Sequence, residues 1–172
     1  MEQGLVNPHP SQAFESDILI EREADWFATN LLMPEKKFIK TAKKQAPGFK
    51  GILALSDKFR TSITSTAIRY IKIFRPNSAI FLWRGGKSAW CQTSEDWHST
   101  IFRGGKVSVP PRGSATSELV ANPGLGEILT RGTVLSEWKN RLRPGAFNND
   151  ILVEEVMSLG RHGVITLLYP DG

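Results

Sequence analysis

The tetrapeptide Arg75-Pro76-Asn77-Ser78 separates two kinds of pattern, and that change constrains the fold more than any other feature of the chain. Before it, apolar residues recur at helical spacing; after it, they come in short runs bounded by Gly, Pro, Asn and Ser. Proline lacks a backbone donor and holds the preceding residue extended, so a helix is not expected to run through this point. Helices followed by strands, rather than alternating with them, predict an α+β fold: a helical N-terminal part, then a mixed α+β domain over 76–172.

Within the second half, Ala79–Trp83 and Ser88–Gln92 are two apolar runs around Gly85-Gly86, the pattern of a β-hairpin with a tight turn. Arg84–Lys87 and Arg103–Lys106 both read RGGK, but their flanks differ, so they are two similar turns and not a repeat. The stretch from Val107 to Pro123 is rich in Pro, Gly, Ser and Thr and is expected to be a long loop. Gly132–Ser136 reads as a strand and Trp138 as a core anchor. The last two apolar runs flank Gly160–Gly163 and read as strand, turn, strand, although Ile151–Leu159 also fits a helix.

Within the first half, Glu21–Pro34 forms one helical unit. Ile20, Ala24, Phe27, Ala28, Leu31 and Leu32 share a stripe at helical spacing, while Arg22, Trp26 and Asn30 lie on the other face. Glu21 falls at the edge of the stripe, beside the small Ala24 and Ala28. A carboxylate there needs a cation, a donor or a proton. A second helix is expected from Pro34 through Lys44, stopped by Pro47-Gly48, with Phe38, Ile39 and Ala42 as its apolar face. Two more follow, Ile52–Phe59 and Ile63–Phe74, joined at Arg60-Thr61-Ser62 with Thr61 or Ser62 as the cap. That spacing is of the helix-turn-helix kind. As a DNA reader it would turn Thr64, Ser65, Arg69 and Lys72 to a groove, with Lys58 and Arg60 on phosphates; as a plain helical hairpin it would pack under its neighbours.

Charge is distributed unevenly. Residues 1–34 carry −5 and residues 35–75 carry +9, within a total of +5. A basic block of this density fits either weak phosphate contact or a solvated helical face. The one cysteine, Cys91, forms no internal disulfide, which suits a reducing compartment. The first residues lack the basic and apolar regions of a signal peptide, and no apolar run approaches the roughly 20 residues of a membrane span. A cytoplasmic protein is expected.

The string IEREADWFATNLLMP resembles the segment that follows the zinc helix in the ImmA/IrrE family of metallo-endopeptidases. In that family a Glu three residues before the Ala of an A-(N/D)-x-F-A core completes the zinc site, and the matching position here is Glu21. The resemblance further implies two histidines from an upstream HExxH helix as the other ligands, a repressor-type protein as substrate or partner, a small helical domain, and a GAF-like sensor region. On that basis residues 1–49 are the remainder of a zinc-peptidase-like domain, 50–75 the helix-turn-helix-like segment, and 76–172 the GAF-like part, to which EEV...GRHGVITLLYP is similar.

The chain has no HExxH. Its histidines are His9, His98 and His162, and no two of them are four residues apart. Glu21 alone cannot form the zinc site, so the chain by itself is not expected to hold zinc or to hydrolyse peptides. Three readings follow: an N-terminally shortened peptidase-like regulator, a stand-alone regulator binding a ligand or protein through 76–172, and a DNA-binding regulator using Arg69 and Lys72. An uncovered stripe at Phe27, Leu31 and Leu32 is expected if the zinc helix is missing.

Overall fold

The computed structural model describes residues 23–95, 97, 107–123, 128–138 and 151–171. Glu21, His9 and His98 lie outside the described residues. The α+β class expected from the sequence is the class of the fold, with helices first and an antiparallel sheet after them.

The helices are α1 (23–32), α2 (Glu35–Ala42), α3 (Gly48–Phe59) and α4 (Ile63–Ile73). Pro34 is the cap of α2 rather than its first residue, and Phe38 and Ala42, one turn apart, are the buried face. Glu35 in the first turn and Lys40 in the last suit the helix dipole.

The expected stop at Pro47-Gly48 is instead the start of α3, four residues before the predicted Ile52. The reason is non-local. Glu155, 106 residues further along, accepts from the Phe49 N–H at 2.5 Å and thereby satisfies a helix N-terminus that no neighbouring side chain caps. Arg60 ends α3 in the left-handed region at φ 53°, and the Ser62 hydroxyl caps α4 by accepting from Ser65 N–H at 3.1 Å.

Five strands, β1 (Ala79–Arg84), β2 (Lys87–Thr93), β3 (Leu129–Val134), β4 (Ile151–Ser158) and β5 (Val164–Pro170), form one antiparallel sheet in the order β2-β1-β5-β4-β3. The hairpin around Gly85-Gly86 is as expected: both glycines have positive φ, and Arg84 pairs with Lys87. Ile151–Ser158 is a strand, which settles the open choice between strand and helix.

Alternation along the strands gives the sheet two apolar faces. Ile80, Ile165, Leu167 and Tyr169 pack with Phe38, Phe49, Ile52, Leu55 and Tyr70 from the helices. Phe81, Trp83, Leu152, Val156 and Leu168 pack on the opposite side with Trp138, which is fully buried as the sequence suggested. The run of four helices ends and the first strand begins at Arg75–Ser78, while the core is continuous across that point.

The expected loop over Val107–Pro123 contains a short helix, α5 (Ala115–Ala121), capped by Ser114. Its start rests on Glu154, whose carboxylate accepts from Ala115 N–H at 3.1 Å, Thr116 N–H at 2.7 Å and the Thr116 hydroxyl at 2.6 Å. Thr116 also bonds Thr166, which in turn accepts from the Trp83 indole N–H at 2.9 Å. Four buried polar groups are thus joined in one chain, and a buried polar group costs little only when it is bonded in this way.

Candidate functional site

Arg69 is the least expected side chain of the helical half. It lies in the middle of α4, where helical spacing alone would leave a guanidinium in water, yet it is only 8% exposed. Its Nη2 donates to Asn30 Oδ1 at 3.0 Å. Asn30 is oriented for this because its own amide donates to the Trp26 carbonyl one turn earlier in α1, at 2.8 Å. Nε of Arg69 is buried and has no partner among the described residues. Burial pushes the Arg69 pKa down, and the nearby Glu35 carboxylate opposes the shift.

Arg69 lines a cavity of about 580 Å³ bounded by three elements. From α4 come Ser65, Ile68, Arg69 and Lys72, at spacings of three and four that put them on one face. From α1 come Asp25, Trp26 and Thr29, and Gln92 comes from β2. Lys72 is exposed and Trp26 is 70% exposed, so one side of the cavity opens to solvent. The walls hold two cations and one carboxylate, together with hydroxyl and amide groups. Such a wall suits an anion.

Arg69 and Lys72, which the DNA reading would turn to a groove, both line this cavity. Arg69 is buried, as are Thr66, Ala67, Tyr70 and Ile71 of α4. Of the other residues assigned to DNA, Ser65, Lys58 and Arg60 are exposed and Thr64 is half-buried.

The stripe on α1 is where the sequence placed it. Phe27 is 63% exposed, Leu31 67% and Leu32 53%, whereas the face with Trp26 and Asn30, read from the sequence as the outer one, is the one turned towards α4. Met33, at the end of the same segment, is buried and anchors it to the helical core. Among the described residues no three His, Cys, Asp or Glu side chains form a metal-sized group, and no helix is long and apolar enough to cross a membrane. His162 is exposed, in the turn between β4 and β5.

The burial of two polar elements does not show in the sequence. Arg69 stands there as a candidate DNA contact, and the residue that marks its burial, Asn30 on the facing helix, lies 39 residues away. The Glu154-Glu155 pair stands inside an apolar run, where two adjacent acids in ILVEEVMS indicate carboxylates with dedicated donors. Comparison with protein-family models and with curated proteins finds no match to this chain.

Proposed function

We propose that this chain is the regulatory, non-catalytic part of an ImmA/IrrE-type zinc metallo-endopeptidase-like protein, acting in the cytoplasm with a repressor-type protein as substrate or partner. The observation that carries the reading is the uncovered face of α1. Phe27, Leu31 and Leu32 share one stripe at helical spacing and all three are exposed, and they lie in the very string that resembles the family's zinc-site segment. Soluble proteins seldom leave such a patch bare unless something docks on it.

In the family the element adjoining this segment is the HExxH helix. The resemblance implies that the two histidines of such a helix, together with Glu21, would make a site of two His and one carboxylate. Zinc there would activate a water for attack on a peptide carbonyl, with the HExxH glutamate as base. None of that chemistry belongs to the 172 residues alone, and zinc binding by this chain alone is expected to be weak. Residues 76–172 take the role of the GAF-like sensor in this reading.

Hydrogen exchange on the intact chain tests the bare face. Amides of β1, β4 and β5 should exchange slowly and those of 23–32 fast, because α1 leaves Phe27, Leu31 and Leu32 exposed while the strands are buried on both faces. Equal protection in α1 and in the sheet would mean that the face is already covered, and would favour a stand-alone regulator.

A further inference from the structure

The cavity between α1, α4 and β2 leads beyond that reading. We infer that it is a binding site for a small organic oxyanion bearing a planar ring, with the phosphate or carboxylate on Arg69 and Lys72 and the ring against Trp26.

The argument starts from the state of the cation. An arginine that is 8% exposed as a residue, with its Nε buried, must have its charge and its donors answered, because burying an uncompensated ion is costly. Two other arginines of the described chain, one half-exposed and one partly buried, are answered. Arg131 donates to the Gly113 carbonyl and pairs with Glu118; Arg75 donates to the Pro170 carbonyl and lies 5.0 Å over the Tyr169 ring. Arg69 has one neutral acceptor, Asn30, a partnerless Nε, and no carboxylate within ion-pair distance among the described residues.

The space beside it has the size and chemistry to supply what is missing. At about 580 Å³ the cavity lies within the ~300–1,000 Å³ of small-molecule sites. Lys72, one turn along α4, adds a second cation at the open side. An oxyanion bridging the two would meet a planar fork and a point charge, the pair of groups that phosphate and carboxylate recognition uses. Asp25 on the facing wall disfavours a second negative group, which selects a ligand with one phosphate or one carboxylate over a polyanion. Trp26 offers a π-face at the mouth for a ring.

The experiment is isothermal titration of the 172-residue protein with three probes: adenosine monophosphate, indole-3-carboxylate and inorganic phosphate. At least one ring-bearing anion should bind saturably at one per chain, about tenfold or more tighter than inorganic phosphate. Arg69→Met should weaken it about tenfold or more and Lys72→Gln about three- to tenfold. Trp26→Ala should weaken only the ring-bearing probes, and Asp25→Asn should tighten them. Preference for the nucleotide identifies a phosphate head and preference for the indole acid a carboxylate head. If Arg69→Met fails to fold, Lys72→Gln and Trp26→Ala, both at exposed positions, decide. The inference is overturned if no probe binds saturably, or if the folded variants bind within about twofold of the parent.

Discussion

Glu154 and Glu155 are neighbours on β4 whose carboxylates leave the sheet in opposite directions, and each receives the N-terminus of a helix: Glu154 that of α5, Glu155 that of α3. Adjacent residues of a strand alternate between faces, so two consecutive acids can serve two layers at once. The helix positive ends and their unpaired N–H groups answer charges that the core could not otherwise hold. β4 therefore ties both layers to the sheet at one point.

This arrangement makes the pair a stability determinant. Glu155 also accepts from the Tyr169 hydroxyl at 2.7 Å, so Glu155→Ala leaves two buried donors unanswered and should cost about 3 kcal/mol in urea unfolding. Gly48→Ala should also destabilise clearly, because its φ is +75° and an added methyl would overlap the Glu155 carboxylate. As a control, Glu118→Ala removes a half-exposed pair with Arg131 and should change stability by less than about 1 kcal/mol. A loss below about 1 kcal/mol for Glu155→Ala would show that the clamp is not what holds α3.

Alkaline pH should weaken the same region. Burial raises the Tyr169 pKa, and the hydrogen bond to Glu155 and that residue's charge raise it further; Tyr70 is raised chiefly by burial. A phenol whose folded pKa lies above its unfolded value of 10.0 contributes stability in full below that value. The contribution is lost as pH climbs from there towards the folded pKa. Cys91 behaves alike from a lower start, its thiol pushed up by burial from 9.0 to about 12. In a Cys91→Ala background, unfolding free energy should be level to about pH 9 and fall above about pH 10, less steeply in Tyr169→Phe. A curve level through pH 11 in the Cys91→Ala parent would contradict the assignment.

What the sequence disclosed follows the range over which each interaction acts. The Gly85-Gly86 turn and the Ser62 cap depend on two to four residues and were legible. So were the α+β order, set by the change at Pro76, and the uncovered Phe27–Leu31–Leu32 stripe, set by helical spacing. α5 was missed because seven residues carry little periodicity and its support, Glu154, lies 38 residues from Thr116. The early start of α3 was missed for the same cause, with Glu155 106 residues from Phe49. Arg69 looked solvated because charge in a helix pattern normally marks the outer face, and only the juxtaposition of α1 and α4 encloses it.

The central claim, that the Glu21–Pro34 segment adjoins the zinc helix of a peptidase-like protein, is tested most directly by the nucleotide sequence immediately before the Met1 codon. The account predicts in-frame codons for an HExxH helix whose apolar face matches Phe27, Leu31 and Leu32. An in-frame stop codon directly before Met1 would contradict it.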